Sequence, residues 1–176
     1  YELKRINAPT LVTGVGGSNV VSEFTSRVLR EKNGIIALNN EPRNLIYDNL
    51  SGFKNVIACS YSGNNYGVDL AFRNDLKKYL LSNNSFGDKE VTYLKYSTTI
   101  PEEKSFISLA ATLIPISILL DYYSEGEKIS IKEREFSFDT SCDAFEIFSG
   151  SDTRTTSTYL ESTMAEAGLG LPIVHD

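Results

Sequence analysis

At 176 residues and 19.5 kDa the chain is long enough to bury a real core, and its 41% hydrophobic and 23% charged content are ordinary for a globular protein. A net charge of −6 excludes nucleic-acid or anionic-membrane binding driven by bulk charge. It leaves local phosphate binding open, because backbone dipoles and hydroxyls need no net positive charge.

In chain order, Thr10 to Thr13 reads as a first strand and 18–32 as a helix, with Val20, Val21, Phe24, Val28 and Leu29 at helical spacing and Asn33-Gly34 as its stop. Residues 34–38 form a second apolar strand, 41–50 a short helix ended by Gly52, and Asn55 to Cys59 a third strand. Residues 67–81 read as a helix that buries Val68, Leu70, Ala71, Leu76, Tyr79 and Leu80. After the loop 83–88, residues 90–96 alternate as a strand. Residues 105–123 form an apolar helix with a kink expected at Pro115. Its most apolar part, 106–120, falls short of the ~20 residues that span a bilayer, so a buried helix and no membrane partner are expected. The charged stretch 125–135 is solvated, Ala144 to Phe148 is a fifth strand, and 155–167 is the last helix, ended by 168–172.

Alternating strands and helices imply an α/β fold with a mainly parallel sheet. Ligands of such folds sit beyond the carboxyl ends of the strands, where the strand order reverses. The turns after strands one, three and five are expected to meet there, and no internal repeat or linker is visible. Cys59 and Cys142 have neither zinc-type spacing nor a disulfide framework, so a reduced, cytoplasmic setting is expected. The opening residues lack the apolar region of a signal peptide.

Two turns carry the chemistry. Gly14-Val15-Gly16-Gly17-Ser18 follows the first strand; its glycines permit close backbone approach, and Ser18 stands at the start of a helix. As a dinucleotide fingerprint it lacks the third glycine, since Asn19 occupies that place. The second strand ends Leu38-Asn39-Asn40 with Glu41 just beyond, so no strand-end acid stands at the ribose position. No Gly-Lys-Ser/Thr follows, which excludes a Walker A loop. The second turn, Ser60-Tyr61-Ser62-Gly63-Asn64-Asn65, offers hydroxyls and amides on one loop. Each turn also has a plainer reading, a tight strand-to-helix connection and a helix cap with turn residues.

These residues resemble the sugar isomerase (SIS) domain. Gly-x-Gly-x-Ser after the first strand fits that family, and Ser60-Tyr61-Ser62-Gly63-Asn64-Asn65 is similar to its Ser-x-Ser-Gly-x-Thr phosphate loop with Asn65 for the usual threonine. Phe145 to Gly150 with Tyr159-Leu160-Glu161-Ser162-Thr163 resembles the fifth strand and following helix in the isomerase part of glucosamine-6-phosphate synthase. The resemblance covers roughly residues 9–170. It implies a three-layer, flavodoxin-like SIS fold with a five-stranded parallel sheet, a sugar phosphate as ligand, no cofactor or metal, and a homodimer or a second SIS domain as partner. By that resemblance Ser18, Ser60, Ser62 and Asn65 hold the phosphate, with Gly16, Gly17 and the backbone of Tyr61 and Gly63 assisting. Glu161 falls where the synthase-like members place the base of enolisation; its plainer reading is a surface helix acid, with Glu166 a neighbouring alternative.

His175 reads as part of a frayed tail, and Asp152 and Arg154 as residues that could edge the pocket. The family begins with a helix before strand one, for which only Tyr1 to Ala8 are present. The expected function is that of a phosphosugar-binding domain of an aldose–ketose isomerase or deglycase acting on hexose or amino-sugar phosphates, as a single SIS domain or one half of a tandem pair. The rivals are a phosphosugar-sensing regulatory domain and a Rossmann-like nucleotide-binding domain.

Overall fold

The computed structural model describes residues 2–84, 90–96, 109–127, 144–150, 153–168 and 170–175. Strand β1 (Thr10–Thr13) leads through the first glycine turn into α1 (Gly17–Asn33), then β2 (Ala37–Asn39) and β3 (Asn55–Cys59). The chain continues with α2 (Tyr66–Ala71), β4 (Lys77–Ser82) and β5 (Val91–Lys95). Helix α3 (Leu109–Tyr123), β6 (Ala144–Phe148), α4 (Arg154–Ala167) and β7 (Leu171–His175) follow. Strands β1 to β5 form an all-parallel sheet in the order β2-β1-β3-β4-β5; β6 and β7 form a separate parallel pair.

The pleat of the five-stranded sheet sorts its residues into two cores, because successive side chains leave a strand on opposite faces. Val12, Ile57, Cys59, Tyr79, Leu81 and Leu94 turn to one face, where Val21, Val28 and Leu29 of α1 and Leu119 and Tyr122 of α3 cover them. Leu11, Val56, Ala58 and Leu80 turn to the other, under Val68 and Ala71 of α2 and Leu45 of a short 3-10 turn. The expected α/β architecture, a five-stranded parallel sheet with helices on both faces, is therefore present. Asn33 ties the end of α1 to its surroundings: its Nδ2 donates to the carbonyls of Leu3 and Ile6, and its Oδ1 accepts from Tyr122 of α3.

The membership of the sheet differs from the expected one. Residues 67–81 are not one helix: α2 stops at Ala71, and Lys77–Ser82 is β4. Asn74 makes the break, its Nδ2 donating to the Ala71 carbonyl and its Oδ1 accepting from the Leu76 amide. Leucine and lysine suit a helix by propensity, but Tyr79, Leu80 and Leu81 are buried between neighbouring strands, and burial on both sheet faces overrides that preference.

The expected helix over 41–50 is only the 3-10 turn Asn44–Ile46. The apolar helix is described from Leu109, with Pro115 buried inside it, and no described helix is long and apolar enough to cross a membrane. Cys142 and residues 128–135 of the charged stretch lie outside the described residues.

Ala144–Phe148 is a strand but not a member of the five-stranded sheet. It pairs with β7, a strand the sequence did not suggest because Gly170 and Pro172 read as a stop. His175 is accordingly no frayed tail. Its carbonyl accepts from the Ser149 amide at 2.9 Å, and its ring stacks on Phe148 at 4.7 Å between centroids.

The unit β6–α4–β7 shares a βαβ plan with β1–α1–β2. Thr10 pairs with Ala37 and Ala144 with Leu171, which is the same separation along the chain. Gly34 and Gly168 end the two helices in matching left-handed conformations, with φ 65° at both. The likeness lies in backbone geometry and glycine placement.

Candidate functional site

Strand order reverses between β1 and β3, which lie side by side at the centre of the sheet while their connections leave in opposite directions. In doubly wound sheets this is where the loops part and leave a crevice. Both glycine–serine turns stand there, one after each of these strands.

The first turn is closed by the Ser18 amide on the Val15 carbonyl (3.2 Å) and the Asn19 amide on the Gly16 carbonyl (2.8 Å). Gly14 has no room for a side chain, since a Cβ would run into the carbonyl of Ser18. Gly16 caps α1 with φ 58°, a conformation that favours glycine, and supplies no capping side chain. The first turn of α1 carries no acid, while Arg30 and Lys32 stand in its last turn. The positive end of a 17-residue helix dipole is thus left bare.

The second turn is held largely by its own side chains. Ser60 Oγ accepts from the Gly63 amide and from Asn65 Nδ2, both at 3.0 Å, and Asn65 Oδ1 accepts from the Val68 amide to cap α2. The Ser60 amide donates to Leu81, and the Tyr61 carbonyl accepts from Ser82 Oγ and the Asn83 amide, which fixes the turn against β4. Asn65 is therefore more than a substitute for threonine, because its two-ended amide bridges Ser60 and the helix start.

A cleft of ≈ 420 Å³ opens beside these turns. Three segments line it: residues 14–16 with Asn19, the stretch Glu41 to Arg43 after β2, and Asn65 to Gly67. Of the residues expected to bind a phosphate, Gly16 and Asn65 line this cleft. Gly17 and Ser18 are half-buried in the adjoining first turn of α1. Ser60 and Gly63 are buried within their turn, Tyr61 packs against the α1-side core, and Ser62 is exposed, with its hydroxyl only 3.5 Å from the Asn64 amide. Glu161 is exposed on α4, in the β6–α4–β7 unit, and is not part of the cleft lining. Arg154 opens that helix; Asp152 lies outside the described residues.

Glu41, Pro42, Arg43, Asn19, Tyr66 and Gly67 are cleft residues that no motif indicated. Their signal is topological: with β2 beside β1, whatever follows β2 must flank the turn after β1. Among the described residues neither Glu41 nor Arg43 has a side-chain partner, so the cleft rim carries one free carboxylate and one free guanidinium. Beneath the cleft, Thr13 Oγ1 is buried with no hydrogen-bond partner, in a crevice walled by Gly14, Val15, Pro42, Asn65 and Gly67. Cys59, also in that crevice, is no ready nucleophile, since burial pushes its thiol up to about 12. No group of three potential metal ligands occurs among the described residues.

Chemically, the cleft offers a bare helix N-terminus, a free cation and amide donors to an anion or an oxygen-rich ligand, with one carboxylate opposite. No protein-family model matches the chain, and no curated protein matches it either.

Proposed function

We propose that the chain binds a phosphorylated sugar at the carboxyl ends of β1 and β3. The observation that carries this reading is the convergence of both glycine–serine turns at the reversal of strand order, beside a cleft with a bare α1 N-terminus and the free guanidinium of Arg43. A phosphate suits the amides and the cation; sugar hydroxyls suit Asn65, Glu41 and the aromatic edge of Tyr66. The resemblance of Ser60 to Asn65 to the SIS phosphate loop supports the same ligand. Aldose–ketose isomerisation with Glu161 as base is the finer form of this reading. Because that carboxylate lies outside the cleft lining, the geometry supports binding more strongly than turnover.

One observation favours a second reading. Glu41 stands just past β2 in the same cleft as Gly14 and Gly16, where a ribose diol is held in dinucleotide-binding folds. A thermal-shift panel separates the two. A ligand at one hundred times its Kd stabilises by about 2.7 kcal/mol. Fructose 6-phosphate or glucosamine 6-phosphate is expected to raise the melting temperature, with fructose, AMP and NAD inactive. Arg43→Ala, an exposed and unpaired position, is expected to keep the fold and weaken the sugar phosphate roughly tenfold, as loss of a charge-assisted hydrogen bond would. A response to AMP or NAD alone would overturn the phosphosugar reading in favour of the second, and silence across the panel would overturn both.

A further inference from the structure

One wall of the cleft carries a polar chain that none of the sequence motifs explains. Ser22 is fully buried in α1, and its hydroxyl has a single proton to give. Its shortest contact is Asn39 Oδ1 at 2.7 Å. The Asn19 carbonyl is 2.8 Å away, but it lies at a position that the α1 backbone ladder already serves. With its oxygen accepting from Ser22, Asn39 turns its Nδ2 to Asn19 and donates to Asn19 Oδ1 at 3.0 Å. An amide has one accepting and one donating end, so fixing the oxygen of Asn19 also fixes its nitrogen. Asn19 is one of the residues lining the cleft, and its Nδ2 has no acceptor among the described residues.

We propose that Asn19 is a ligand-positioning donor: its Nδ2, aimed by Ser22 and Asn39, holds an oxygen of the sugar phosphate in the cleft. The assignment rests on the phosphosugar reading and adds to it a residue outside the Gly-x-Gly-x-Ser and Ser-x-Ser-Gly patterns. A second unpartnered polar group lies under the same part of the cleft. The Thr13 hydroxyl, 1% exposed and without a partner, underlies the same residues Gly14, Val15 and Asn65. Buried hydroxyls are normally satisfied, so the unanswered Thr13 hydroxyl marks a polar layer directly beneath the residues that line the cleft.

The relay predicts an effect at a distance. Asn39 is not in the cleft lining, yet Asn39→Asp replaces its donor with a second acceptor. The new carboxylate would then accept from Ser22 and from Asn19 Nδ2 together, turning Asn19 Oδ1 toward the ligand. Calorimetric titration of the full chain with fructose 6-phosphate tests this. Asn19→Ala is expected to weaken binding about three- to tenfold, the range of one neutral hydrogen bond. Asn39→Asp is expected to weaken it at least as much. Ser22→Ala, close in size and favourable in a helix, is expected to fold like the parent and to weaken binding roughly twofold, because Asn39 loses its fixed polarity.

Parental affinity in Asn19→Ala, or in both Asn39→Asp and Ser22→Ala, would overturn the assignment. The side-chain amide signals of Asn19 in ligand-free protein give a readout independent of affinity. They should exchange freely with solvent in the parent and be protected in Asn39→Asp; the same exchange in both would also overturn it. Failure of the parent to bind any sugar phosphate is a different result, which removes the phosphosugar reading whatever the amide signals show.

Discussion

The units β1–α1–β2 and β6–α4–β7 share a plan: a short parallel strand, a helix stopped by a left-handed glycine, and a second strand at the same distance along the chain. Their surroundings differ. All four residues of β1 are buried, whereas exposed and half-buried residues alternate along both β6 and β7. Phe148 and Leu171 remain 75% and 63% exposed. The first unit has β3 on the free edge of β1, with β4 and β5 beyond it and helices over both faces; among the described residues the second packs on α4, which contacts α1. Local instructions thus build a βαβ unit in both places, and neighbouring strands and helices decide which unit carries stability.

The comparison can be broken most directly by truncating one core residue in each unit. Leu29→Ala in α1 empties a fully buried position and is expected to cost about 2–5 kcal/mol in urea denaturation. Ile173→Ala, at a side chain already 40% exposed, is expected to cost less than about 1 kcal/mol. Equal costs would mean that the two units are equally consolidated.

A smaller and subtler contrast comes from the matched glycines. Alanine at Gly34 or Gly168 meets the same left-handed penalty of roughly 1–2 kcal/mol. Gly34→Ala should lower the global melting temperature, whereas Gly168→Ala should show mainly as faster amide exchange confined to β6, α4 and β7. Exchange rising across β1 and β3 in Gly168→Ala would show that the units open together.

The smallest effect lies on the α1–α3 seam, which only the first unit has. The Tyr123 hydroxyl and, after it, Arg27 hold the Glu31 carboxyl below its ordinary value. A carboxyl lowered on folding contributes stability at neutral pH and loses it as pH falls through the carboxylate range. Tyr123→Phe should therefore flatten the acid limb of a stability–pH curve by lowering stability slightly at neutral pH and leaving the acid end unchanged, a small effect because the pair is exposed. An unchanged acid limb would remove this contact from the account.

What could be read from the sequence was what local chemistry decides. Thr10–Thr13, Asn55–Cys59 and α1 follow from apolar runs and periodicity, and both turns from their glycines and serines. Lys77–Ser82 was misread because Leu76, Tyr79 and Leu80 also fit a helical spacing, and only the flanking strands β3 and β5 settle the matter. The site divided in the same way. Gly16 and Asn65 belong to recognisable turns, whereas Glu41, Arg43 and Asn19 owe their place in the cleft to β2 lying beside β1. Strand order is a property of the whole chain, and no window of residues states it.

Gly17 shows how far such dependence reaches. A Cβ there would come within 2.6 Å of Thr112 Oγ1, so the first residue of α1 is shaped by a side chain of α3. A gain of atoms at 17 therefore has to be met by a shift or a loss of atoms at 112. Gly17→Ala alone should disturb the turn that shapes the cleft, and Thr112→Gly in the same chain should restore it. Homologous sequences would then be expected to exchange bulk between these two places, recording a helix–helix contact that neither position reveals by itself.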